Sequence, residues 1–277
     1  MTPTNFYVGI GFFTVLTIGL AADIVLVVLF WDKLSKQFKN NLETVPWTIR
    51  DALYVCLGLV LLYGVIHSAG YYLYNFKIIG KTAVNIFGGL FMYVAGVWLV
   101  AYVLNSQYGG IYHHLKVSGR DWIKKSARGI AAYLCFIPIM ILLLAIGVVL
   151  CNMFGITPES HPIVDILKKK QPWYFLTYII LVAVFVAPVF EEVLFRGIFY
   201  QIFKKRFGLP VGVILSSILF SAMHFNVAQF LPIVGLGALM CFVYESTASL
   251  VPSIVIHIAN NGIFMGLFFL LKDYTGG

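Results

Sequence analysis

Three sets of polar residues stand out in a chain otherwise suited to lipid. The segment VFEEVLFRG carries two adjacent carboxylates, Glu191 and Glu192, with Arg196 four residues after the second. Phe220 precedes His224 by the same interval, and His257 precedes Asn261 by it again. Ionisable groups inside an apolar span are costly, and are functional candidates by default. On a helix Glu192 and Arg196 share a face and can pair, whereas Glu191 points about 100° away. The spacing therefore predicts a supporting pair, Glu192 with Arg196, and leaves Glu191 free to act as a general base. His257 and Asn261 can aim two donors at one point, as a developing oxyanion requires. Asn260 points elsewhere and reads as packing or an interhelical hydrogen bond.

These residues must be positioned by membrane helices. The chain has 277 residues, 61% hydrophobic and 11% charged, against about 25% charged in a soluble domain. Runs of about 20 apolar residues predict an all-α polytopic membrane protein with about eight spans, at roughly 6–31, 51–74, 83–105, 129–153, 174–203, 210–226, 229–247 and 249–271. The first run lacks a basic leader and reads as a retained helix rather than a signal peptide. Residues 1–128 form an N-terminal set of helices and loops of unassigned role, and 129–277 hold the catalytic core. Asp23 and His67 are polar exceptions in the first part, and His113 and His114 read as loop residues facing solvent or headgroups.

The net charge is +8. Its basic residues flank the spans, which favours topology and anionic headgroups over nucleic acid. With the N-terminus outside, the cytoplasmic loops hold twelve Lys and Arg and the opposite side six. The four cysteines are scattered, with no C-x-x-C pair, and support neither a disulfide framework nor a zinc knuckle.

Depth brings the polar residues together. If Lys204, Lys205 and Arg206 mark the cytoplasmic surface, Glu191 lies roughly 20 Å in at about 1.5 Å per residue. His224 lies roughly 20 Å along the sixth span, and His257 and Asn261 roughly 12 and 18 Å along the eighth. A lone histidine on an apolar face is usually a core residue, but this convergence favours a shared site. Pro188 predicts a kink or break in the fifth span.

EE-x-x-x-R (Glu191, Glu192, Arg196), F-x-x-x-H (Phe220, His224) and H-x-x-x-N (His257, Asn261) resemble the three motifs of the CAAX-protease and bacteriocin-processing (CPBP/Abi) family, related to the type II CAAX prenyl endopeptidase. SSILFSAMHF and YESTASLVPSIVIHIANN, around the later motifs, fit as well, and the resemblance covers roughly 173–272. It implies a helical intramembrane endopeptidase in which Glu191 activates water, His224 helps to hold it, and His257 and Asn261 form the oxyanion hole. Glu192, Arg196 and Phe220 would support them. It also implies a bacterial plasma membrane, a cavity towards the cytoplasm, and a membrane-associated protein or peptide substrate, lipidated or not.

No cofactor is favoured. A zinc version would use Glu191, His224 and His257, although H-E-x-x-H is absent. Ser221 lies near His224 without a nucleophile elbow. A non-catalytic scaffold or immunity factor is the alternative from another class. A proton-coupled transporter is disfavoured because the polar groups form no path across the membrane.

Overall fold

Apolar runs joined by short connections fold into a helical bundle, seen in a computed structural model of the chain. It describes residues 17–21, 45–110, 115, 117, 121–157, 164, 167, 168 and 172–271. The helices are α1 (Ile49–Asn75), α2 (Lys81–Tyr108), α3 (Trp122–Met153), α4 (Trp173–Phe207), α5 (Leu209–Ala222), α6 (Phe230–Thr247) and α7 (Leu250–Leu271). All but α5 are long and apolar enough to cross a membrane, and no strand occurs among the described residues. The protein is an integral membrane protein. The expected first span lies mostly outside the described residues, as do Asp23, His113 and His114. His67 is exposed on α1 and stacks on Tyr63.

One expectation is corrected, and one residue of the basic triplet is buried. The sixth span does not run to residue 226: α5 has 14 residues, or about 21 Å of helix against a hydrocarbon core of about 30 Å. His224 consequently sits in the turn between α5 and α6, with Phe225 left-handed at φ 50° just after it. In the basic triplet, Lys205 and Arg206 are exposed. Lys204 is buried, its Nζ 2.6 Å from Glu245 Oε1, which also accepts the Tyr200 hydroxyl at 2.8 Å. Lys205 donates to the carbonyls of Val45 and Pro46 ahead of α1. Both lysines thus pin neighbouring segments to the end of α4.

The expected disruption at Pro188 takes the form of a widened turn rather than a break. Val182–Val186 is π-helical, and α4 continues through Ala187–Glu192 into a second π-helical stretch, Val193–Tyr200. Proline clashes with the carbonyl four residues back and has no hydrogen to donate. A π turn relieves the clash, and such bulges cluster at functional sites.

Below the polar residues, Tyr133, Phe195, Phe220, Leu236, Met240, Val243 and Ile256 form one buried cluster joining α3 to α7. Close approach of α5 and α6 depends on Gly237, where a Cβ would lie 3.0 Å from Ser217 Cβ. Gly237→Val is expected to destabilise the detergent-purified protein by about 1–3 kcal/mol through overpacking, read as a lower Tm. Gly64, where a Cβ would meet nothing within 4 Å, is the control: Gly64→Ala should leave Tm unchanged or raise it.

Candidate active site

Glu192 is fully buried on α4, and its Oε1 accepts from Arg196 Nη1 at 2.8 Å. This is the expected i, i+4 pair. Arg196 also donates from Nη2 to the Gly237 carbonyl at 3.3 Å, and its guanidinium lies 4.3 Å from the centre of the Phe220 ring. Phe220, itself fully buried, presents its ring to both histidines. The ring centres of His224 and His257 are 4.8 and 5.5 Å away in edge-on arrangements. Phe220 is thus the wall that seats the arginine and spaces the two imidazoles.

The same Glu192 Oε1 lies 2.9 Å from His257 Nδ1, a contact the spacing does not predict. An ionised carboxylate only accepts, so Nδ1 carries the hydrogen and the ring is oriented by α4. His257 Nε2 then faces Glu191 Oε2 at 3.7 Å, beyond direct hydrogen-bond length. Glu191 is partly exposed to the cavity, and its Oε2 has no hydrogen-bond partner among the described residues. The two adjacent carboxylates therefore do different things: one grips an imidazole and a guanidinium, and the other keeps a buried oxygen without a hydrogen-bond partner beside the imidazole's far nitrogen.

His224 Nδ1 is 2.8 Å from the Phe220 carbonyl. A carbonyl only accepts, so Nδ1 donates, and in the neutral ring Nε2 holds the lone pair. Asn261 donates from Nδ2 to the Ala183 carbonyl at 3.0 Å. In the π turn that carbonyl would meet the nitrogen of residue 188, which is proline and has no hydrogen. Asn261 thus supplies a donor that Pro188 lacks, a link between α7 and α4 invisible in either segment alone.

Glu191, His224, His257 and Asn261 all line one cavity of about 500 Å³. Four further polar residues line it that the sequence does not single out for the site: Asn260, Tyr133, Tyr93 and Gln229. Asn260 does make an interhelical hydrogen bond, from the Tyr133 hydroxyl at 3.2 Å, but at the cavity rather than away from it. Tyr93 comes from α2. Its ring is edge-on to Phe190 at 5.6 Å, and Gly96, one turn on, admits the Phe190 ring where a Cβ would lie 2.6 Å away. The first half of the chain thus walls the cavity beside Glu191. Ser221 is occupied, donating to the Phe230 carbonyl at 2.8 Å. The free cysteines Cys56, Cys135, Cys151 and Cys241 do not line the cavity.

Glu191, His224 and His257 share the cavity, yet no three His, Cys, Asp or Glu side chains among the described residues are grouped to hold a metal ion. With Nδ1 on Glu192, His257 could offer a metal only Nε2.

Residues 172–263 match the family described as type II CAAX prenyl endopeptidase Rce1-like. This part of the chain is similar to the CAAX-protease family. The matched span runs from the start of α4 into α7 and contains all seven motif residues, whereas Tyr93 and Tyr133 lie outside it. Among curated proteins, the membrane-embedded CAAX protease MroQ of Staphylococcus aureus (strain USA300) is 29% identical over 151 residues, covering 51% of this chain and 58% of that relative. The alignment thus spans little more than half the length of MroQ. No solved structure matches the chain.

Proposed function

We propose that this chain is a member of the CAAX-protease family and an intramembrane endopeptidase that hydrolyses a peptide bond with glutamate-activated water. The observation that carries the reading is the unpartnered Glu191 Oε2, 3.7 Å from an imidazole whose other nitrogen is held by Glu192. In this scheme Glu191 takes a proton from water as the oxygen adds to the scissile carbonyl carbon. His224, through Nε2, holds that water in line. The oxyanion accepts hydrogen bonds from Asn261 Nδ2 and, in its protonated form, from His257 Nε2. Glu191 then returns its proton to the departing amine as the C–N bond breaks.

Substrate and setting follow the same reading. Ile137, Met140, Ile141, Leu144, Ile233 and Leu236 make much of the cavity wall apolar, which suits a membrane-associated protein or peptide, lipidated or not, and does not suit nucleic acid. The curated relative is described as a membrane-embedded CAAX protease, and a bacterial plasma membrane with the cavity towards the cytoplasm agrees with the charge bias of the loops.

The test compares membrane peptide profiles from cells carrying wild type, Glu191→Gln and His224→Ala. Peptides released by wild type and missing from both variants are expected; identical profiles in all three would defeat the reading and leave a scaffold or immunity factor. Activity is also expected to persist under a strong chelator, because the mechanism draws its base and donors from side chains. Loss with chelator and recovery with zinc would overturn that part.

A further inference from the structure

We infer that Tyr133 and Asn260 are positioning residues which fix the direction in which the Asn261 amide faces. This rests on the endopeptidase reading, in which Asn261 donates to the oxyanion. Three hydrogen bonds run in series across three helices. The Tyr133 hydroxyl on α3 donates to Asn260 Oδ1 at 3.2 Å, Asn260 Nδ2 donates to Asn261 Oδ1 at 3.2 Å, and Asn261 Nδ2 donates to the Ala183 carbonyl on α4 at 3.0 Å.

The polarity of this chain is set at its α4 end. A backbone carbonyl only accepts, so Asn261 must turn its NH₂ towards Ala183. Its oxygen then faces Asn260, which must offer its own NH₂, and the Asn260 oxygen faces Tyr133, which must donate. Pro188 is the root of the arrangement, because it cannot supply the hydrogen that the Ala183 carbonyl would meet in a π turn. Asn261 has no other hydrogen-bond partner among the described residues. Its second N–H is left for the cavity that it lines.

An amide turned over would bring its oxygen against the Ala183 carbonyl and offer an acceptor, rather than a donor, to a developing oxyanion. With its oxygen held by Asn260, the amide is ordered before substrate arrives, as electrostatic stabilisation of a transition state requires. Tyr133 is 3% exposed. Tyr133 also belongs to the buried cluster that packs Phe220 and Ile256, so its backbone position is set by the core.

The test uses the full-length protein in membranes, with the endogenous peptides whose release disappears in Glu191→Gln as the probe. Tyr133→Phe keeps the ring and removes the donor, and is expected to slow release about tenfold. Asn260→Asp keeps the shape but puts a second acceptor against Asn261 Oδ1, for a loss of about a hundredfold. Asn261→Ala should lose about as much as a missing oxyanion donor, roughly 100- to 1,000-fold. The deciding variant is the double Tyr133→Phe/Asn261→Ala. It should be no slower than Asn261→Ala alone, because Tyr133 acts through Asn261.

Wild-type release by Tyr133→Phe, or tenfold additional loss in the double variant, would overturn the relay; the second result would mean that the Tyr133 hydroxyl acts independently of Asn261. Size-exclusion profiles of the detergent-purified variants separate slow release from failure to fold, and the conservative Tyr133→Phe substitution preserves the ring's packing. If Glu191→Gln releases the same peptides as wild type, the endopeptidase reading falls and the relay's role with it. If Glu191→Gln is inactive while Tyr133→Phe is fully active, the relay alone falls.

Discussion

Glu191→Gln is expected to lower the rate of product release by about 100- to 10,000-fold, the range a positioned general base contributes, without loosening the fold. The side chains are nearly isosteric, and Glu191 Oε2 has no hydrogen-bond partner to lose among the described residues. An amide oxygen cannot take the proton from water, so the attacking oxygen would have to add as neutral water. Thermal unfolding in detergent should therefore stay near wild type while peptide release collapses. The neighbouring Glu192→Gln makes the contrast. It alters a carboxylate gripped by Arg196 and His257, so its loss of activity should come with a lower Tm. Glu191→Gln at the wild-type rate would remove Glu191 from the reaction; an equal fall in Tm for both variants would mean that the two carboxylates do not have separate roles.

Most of the helical frame is legible in the sequence because burying a backbone in lipid demands long apolar helices. Seven of the expected spans correspond to α1 through α7, to within several residues at their ends. Within a helix, the i, i+4 rule finds the Glu192–Arg196 pair and separates Glu191 from it. Contacts between helices carry no such local signature. Spacing pairs Glu192 with Arg196 alone, although the same oxygen holds His257 on α7. Asn260 points away from the site when judged from its own helix, whereas Tyr133 on α3 draws it to the cavity. Lys204 reads as a surface charge because it adjoins two other basic residues, and Glu245 on α6 is needed to bury it. The apolar run that forms α5 continues past Ala222 into the turn that holds His224, so hydropathy alone overstates the length of the helix.

Arg196→Met should be the most destabilising single change in the site. Arg196 and Glu192 are both fully buried, and removing one member of a buried ion pair typically costs about 3–5 kcal/mol because the other charge stays behind without water. Here His257 Nδ1 would remain on Glu192 Oε1, but Glu192 Oε2 already has no hydrogen-bond partner, so the carboxylate would lose its compensating cation. The expected result is a sharply lower Tm in detergent and little peptide release. The double variant Arg196→Met/Glu192→Leu separates stability from function. Replacing a buried pair by apolar side chains is often neutral or stabilising, so Tm should recover towards wild type. Peptide release should stay low, because His257 would then have lost the acceptor that orients its ring, and with it the register of Nε2 against Glu191. Recovery of both would reduce the pair to packing and assign the orientation of His257 to the Phe220 wall alone; recovery of stability without activity is what a carboxylate that aims an imidazole requires.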